Sequence, residues 1–147
     1  MDTSRPLTDA EFKGIYSKVP RLVVDVLIET PDGFLLSKRN IEPYKGQWHI
    51  PGGTVRFGES PETAAERIAK GELGLDVKIS QTLGYITYVS EQKERGFGWT
   101  IGIVLEASIE GGKPSGNDET MEVGFFQSPP ANILPEQGEF LRNLQKL

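Results

Sequence analysis

The chain has 147 residues, a formal net charge of −5 and no cysteine, a length that suits one domain with a core large enough to stand without disulfides. Zero cysteines exclude disulfides, thiolate metal sites and a Cys nucleophile, and suit a reducing compartment, so the expected location is the cytoplasm. The acidic balance excludes broad, sequence-independent nucleic-acid binding, no apolar run approaches the roughly 20 residues of a membrane span, and the first residues lack the apolar stretch of a signal peptide.

In chain order, Thr8 with Glu11 three residues on forms a capping box, and Phe12, Ile15 and Tyr16 follow at helical spacing, which predicts a short helix over 8–19. Pro20 ends it. Residues 22–29 are rich in β-branched side chains and read as a buried strand interrupted by one charge, Asp25. Pro31-Asp32-Gly33 is a turn signal, with 34–37 as the returning strand of a hairpin. A polar loop over 38–46 leads to a brief strand at 47–50. Next comes the stretch that organises the chain, 51–77, a glycine-rich loop followed by a charged helix. Ser60 is its N-cap, Pro61 its first helical residue and Gly74 its stop, which predicts a helix over 61–73.

Residues 77–89 and 98–109 read as two long strands joined by a polar hairpin loop at 90–96. Residues 110–120 read as a loop, 121–127 as a strand and 137–147 as a closing helix with Phe140, Leu141, Leu144 and Leu147 on one face. Together these predict one mixed α/β (α+β) domain over 1–147, with helices packed against a mixed sheet.

Gly53, Glu59, Arg67, Glu72 and Gly74 stand in the spacing G-x5-E-x7-R followed by E-x-G, and Gly46-x-Trp48-x-x-Pro51-Gly52-Gly53 precedes them. This resembles the Nudix hydrolase family, whose box reads G-x5-E-x7-R-E-U-x-E-E-x-G-U with U apolar. The resemblance implies a Nudix-type sandwich of a mixed β-sheet with flanking helices. The chemistry of such a box is that carboxylates on one helical turn, joined by a carbonyl of the glycine loop, offer hard oxygen ligands to Mg²⁺, with Mn²⁺ an allowed substitute. Arg67 is expected to hold or orient Glu59 across the loop–helix junction.

The sequence departs from the box at two positions, with Ile68 and Gly71 where glutamates are expected. The GDP-mannose mannosyl hydrolases share that pattern, and the strand with Asp25, the segment ending in Arg39 and Gly46-Gln47-Trp48 also look like that subfamily. By this resemblance the substrate is a nucleoside diphosphate linked to another moiety, favoured as a nucleotide sugar cleaved at the glycosyl carbon–oxygen bond. Gly52 would give a carbonyl and Glu72 a carboxylate to the metal, Glu119 would be a third ligand, and Arg39 and Asp25 would contact substrate. The subfamily's late-loop histidine is missing here, so Glu119 or Glu122 is the expected base. Cleavage of the pyrophosphate itself, or a weakly catalytic nucleotide-binding module, are the alternatives. A homodimer closed by the first helix and strand, as in that subfamily, is allowed by the residues.

The plainer readings stand beside these. Glu62 and Glu66 with Lys70 form a solvated helix face, His49 beside Trp48 is structural or pocket-lining, and 93–95 is a solvated loop tip. Tyr44, Tyr88, Phe97 and Trp99 are packing residues before they are stacking ones.

Overall fold

A computed structural model describes residues 6–116 and 120–146. Helix α1 (Asp9–Tyr16) starts on Thr8, whose side chain accepts from Glu11 N while the Glu11 carboxylate accepts from Thr8 N. Strands β1 (Arg21–Thr30) and β2 (Gly33–Arg39) follow, then two short strands, β3 (Trp48–His49) and β4 (Gly52–Thr54). Helix α2 (Pro61–Leu73) leads to β5 (Asp76–Thr87), a short helix α3 (Glu91–Arg95), β6 (Thr100–Gly111), β7 (Thr120–Phe126) and α4 (Pro135–Gln145). No helix among the described residues is long and apolar enough to cross a membrane.

The strands pair in the order β3-β2-β1-β6-β5, with β4 added on β1 and β7 on β2. β1 and β6 are parallel, and every other pairing is antiparallel. β1 is therefore shared. Its first half pairs with β4 from Val23 to Asp25, and its far end turns into β2 at Thr30 and Gly33. Residues 23–28 of β1 are buried without a break, the signature of a strand covered on both faces. Val24, Val26 and Ile28 pack under α2, while Val23 and Leu27 face the side closed by Leu134 and by Leu141 of α4. The result is the mixed α/β sandwich expected from the sequence.

Helix α2 lies close to the sheet because small residues line its inner face. Ala64, Ala65 and Ala69 are fully buried with Ile68 and Leu73. Its ends are fixed as the sequence predicts: Ser60 Oγ accepts from Thr63 N at 3.1 Å, and Gly74 takes the left-handed conformation at φ 70°.

The sequence reading needs correction at two places. Gly52 and Gly53, expected within a loop, form β4, because without side chains they can press against β1. A Cβ on Gly52 would fall 2.5 Å from Val24 O. The 90–96 segment, expected as a polar hairpin loop with a solvated tip, contains α3, whose Glu91 is buried and whose Arg95 packs over Phe12 and Phe97. Tertiary ion pairing overrides local polarity there.

Gly74→Ala is expected to destabilise the fold by about 1 kcal/mol, since alanine at a left-handed C-cap carries that strain and its Cβ would approach Ser115 Oγ at 3.2 Å. Thermal denaturation of the pair measures it, and an unchanged midpoint would reject the cap assignment.

Candidate active site

A cleft of about 1020 Å³ runs across the sheet's edge between β4, the start of β1 and the loop after β2. Asp25, Arg39, Gly52, Gly53, Arg67 and Glu72, each singled out from the sequence, line it.

Arg67 on α2 grips Glu59 with two parallel bonds, Nε to Oε2 at 2.7 Å and Nη2 to Oε1 at 2.9 Å, and donates again from Nη2 to Thr54 O at 2.9 Å. Glu59 also accepts from Arg56 N at 2.8 Å. The Arg67 bond is the main reason its carboxyl is held down at about 2. Glu59 thus stays ionised and occupied, pinning the loop between β4 and α2 rather than facing the cleft with free lone pairs.

Glu72, one residue from the end of the same helix, is in a different state. Its side chain is 16 % exposed. Burial pushes its carboxyl up to about 7, against the opposing pull of a bond from Ser37, the charge of Arg39 and the backbone N–H of Gly52. Ser37 Oγ lies 3.3 Å from Glu72 Oε1 and 3.1 Å from His49 Nε2. His49 Nδ1 donates to Ile50 O at 2.9 Å, and burial pushes the ring down to about 4. The ring is neutral at pH 7, so its 3.8 Å approach to Glu72 is not an ion pair. His49 also lines the cleft, where its buried ring bonds to Ile50 O and lies against Ser37.

Asp25 is 4 % exposed and sits at the inner end of a chain of bonds whose direction is fixed throughout. Ile50 N donates to Gln137 Oε1 at 2.7 Å, which leaves the Gln137 amide nitrogen to donate to Tyr88 Oη at 2.9 Å. The Tyr88 hydroxyl therefore donates to Asp25 Oδ2, at 2.7 Å. Oδ1 has no hydrogen-bond partner among the described residues. Burial raises the Asp25 carboxyl to about 7, with the Tyr88 bond and the charge of Arg21 opposing. Glycines make the room, because a Cβ on Gly52 would meet Oδ1 at 2.7 Å and one on Gly102 would collide with Oδ2.

Arg39 donates from Nε to Pro43 O at 2.6 Å and lines the cleft. Ile68 is 6 % exposed, and a Cβ on Gly53 would lie 3.2 Å from its Cδ1, so the apolar replacement in the box packs helix against glycine strand. Gly74 is the helix cap and lies outside the cleft lining. Glu122 is likewise absent from that lining; it stands on β7 opposite Lys38, with its side chain 57 % exposed and 3.6 Å from Lys38 Nζ. Glu119 lies outside the described residues.

No group of three or more His, Asp or Glu side chains among the described residues could cage a metal ion. Glu72 is a carboxylate in a low-dielectric wall beside Gly52, with its negative charge incompletely offset. Such a thin set of hard oxygen donors fits a Mg²⁺-type ion that keeps waters and takes most of its ligands from a phosphorylated substrate, and does not fit a preassembled protein cage.

Sequence reading missed Tyr88 and Gln137 as parts of the site, and also Arg21 and Glu91. Each partnership spans tens of residues, so no local pattern carries it; the i,i+4 spacing of Glu91 and Arg95 is the one signal that could have pointed to α3.

The NUDIX domain family profile matches residues 19–144. An ADP-ribose pyrophosphatase of Methanocaldococcus jannaschii is 37 % identical over 117 residues, covering 80 % of this chain and 66 % of the relative. The low-salt glycan biosynthesis protein Agl8 of Haloferax volcanii is 42 % identical over 78 residues, 53 % of this chain and 50 % of that protein. The chain thus spans half to about two thirds of the length of these relatives. Among solved structures, a MutT NUDIX hydrolase from Burkholderia pseudomallei superposes with TM-score 0.76 at 24 % identity, covering 84 % of this chain and 97 % of that one.

Because the Asp25 and Glu72 carboxyls have higher pKa values in the folded state than the ordinary 3.8 and 4.5, the folded protein holds more protons than the unfolded chain between about pH 4 and 7. Stability should fall as pH rises through that window. Asp25→Asn is expected to flatten the fall, measured as urea midpoints at pH 5 and pH 8. An identical fall in the variant would show that Asp25 is not held this way.

Proposed function

The chain belongs to the Nudix hydrolase family, and from that premise we propose that it is a divalent-metal-dependent hydrolase of nucleoside diphosphates linked to a sugar. The observation that carries this is the pairing, in one cleft, of a half-screened carboxylate suited to a hydrated cation, Glu72, with a guanidinium aimed beside it, Arg39. The names of the ADP-ribose pyrophosphatase and glycan-biosynthesis relatives support the same substrate class.

In this reading Glu72 and the Gly52 carbonyl hold Mg²⁺. The bound ion supplies charge neutralisation at the diphosphate and polarisation of the bond to be broken. Arg39 offsets the remaining phosphate charge. Asp25, with Oδ1 free and Oδ2 already engaged by Tyr88, accepts a hydrogen bond from a neutral donor such as a sugar hydroxyl. Arg67 touches no substrate; it positions the loop through Glu59. The base that activates water is then Glu119, in place of the metal role expected of it from the sequence, since Glu122 stands on β7 outside the cleft lining.

Ile68 stands where phosphoanhydride-cleaving members resembling this chain carry their usual base, which favours attack at the glycosyl carbon. The relative named as an ADP-ribose pyrophosphatase favours the second reading, attack at phosphorus. Incubation of a nucleotide-sugar panel with Mg²⁺ separates them: free sugar with nucleoside diphosphate marks the first, and sugar phosphate with nucleoside monophosphate the second. Absence of turnover with any divalent metal would leave a binding module and reject both. Glu72→Gln should lower metal-dependent turnover by more than about 100-fold, beyond the range for loss of a residue that merely orients a metal ligand.

A further inference from the structure

At the α1 end of the cleft, away from Glu72, two arginines converge on one carboxylate. The Glu91 side chain is 4 % exposed, and its Oε2 lies 3.3 Å from both Arg21 Nη2 and Arg95 Nε. Its other oxygen accepts from Thr100 Oγ1 at 2.6 Å. Each nitrogen of Arg21 makes a hydrogen bond within the protein, Nε to Thr100 Oγ1 at 3.2 Å, Nη1 to Thr54 Oγ1 at 3.0 Å and Nη2 to Glu91 Oε2 at 3.3 Å.

Arg95 differs. It makes no hydrogen bond among the described residues, and its Nε is buried without one, because the approach to Glu91 lacks hydrogen-bond alignment. Its guanidinium is held by packing, 5.1 Å from the ring of Phe12 and 5.7 Å from that of Phe97. A guanidinium immobilised between aromatic rings has already lost its conformational freedom, yet among the described residues its fork makes no hydrogen bond.

The local charge is also unbalanced. Two guanidinium groups share a single carboxylate, and the positive charge of Arg39 reaches Arg95 as well. The charge of Arg39, which lines the same cleft, acts on both Glu72 and Arg95. Arg21, Glu91, Arg95 and Phe12 all line the same cleft as Glu72.

Resting on the hydrolase reading above, we propose that Arg95, braced by Glu91 and backed by Arg21, is an anion subsite that takes a two-oxygen face of the substrate, a phosphate or a carboxylate. The Nη edge of the guanidinium suits such a face, and the excess positive charge loses its cost when the subsite is filled.

Binding measured by titration calorimetry without divalent metal, where nothing turns over, tests the subsite apart from the reaction. The probes are inorganic pyrophosphate, a nucleoside diphosphate linked to a neutral hexose, and the same nucleotide linked to a hexuronate. Arg95→Gln is expected to weaken binding about tenfold or more, the worth of a charged hydrogen bond. Arg95→Lys, which keeps the charge beside Glu91 but not the fork, is expected to fall between the two. Weakened pyrophosphate binding assigns the subsite to phosphate; loss confined to the advantage of hexuronate over hexose assigns it to a sugar carboxylate. The proposal is overturned if the parent binds none of the probes, or if Arg95→Lys and any folded Arg95→Gln bind all of them within about twofold of the parent. Probe binding by a parent that shows no turnover with any divalent metal would instead count against the hydrolase reading alone.

Discussion

A carboxylate on a strand covered on both faces cannot be left to solvent, and the arrangement of this molecule around β1 answers that constraint. Asp25 is the charge among residues 23–28, all buried. Desolvating it is costly unless neighbours supply hydrogen bonds. Tyr88 comes from the segment just beyond β5, Gln137 from α4, and the backbone N–H that orients Gln137 from Ile50. Glycines at 52 and 102 are needed on the flanking strands because any Cβ would strike the carboxyl. One buried charge thereby dictates residues on several elements, and the cleft forms where their side chains fail to fill space.

The other half of the site obeys a different logic. Helix α2 carries two box carboxyl positions that have become Ile68 and Gly71, and its remaining inward glutamate is Glu72. Glu59, on the loop before it, is consumed by Arg67. Among the described residues the helix therefore offers the cleft a sparse set of carboxylate oxygens. Arginines compensate. Arg39 and Arg95 lie along the cleft with nitrogens not used in hydrogen bonds among the described residues, and in the proposed reading such guanidinium groups take part of the anion recognition that carboxylate-bound metal would otherwise provide.

Most of the fold was legible because its signals are local. The capping box at Thr8, the Ser60-Pro61 start and Gly74 stop of α2, and the apolar run of β1 each depend on residues within one element. The box spacing likewise brought Gly53, Glu59, Arg67 and Glu72 into view before any coordinates. What was hidden depends on distant partners. The polar stretch 90–96 became a helix because Glu91 is buried against Arg21 and Thr100, and Gly52-Gly53 became a strand because β1 needs a neighbour with no side chain. Tyr88 reads as packing from its own neighbours, and it is packing; its hydroxyl acquires a role from Asp25, 63 positions away.

The directed chain from Ile50 through Gln137 and Tyr88 to Asp25 also sets a schedule for biosynthesis. Asp25 and Gln137 are 112 residues apart, and at a synthesis rate of roughly 5–20 residues per second the later one follows by about 6 to 22 s. Until then Tyr88 has no donor fixing its hydroxyl, and Asp25 can rotate. A nascent chain that has completed β1 and β5 therefore still lacks the donor that orients the Tyr88 hydroxyl, and the buried carboxylate of Asp25 is aligned only once α4 docks.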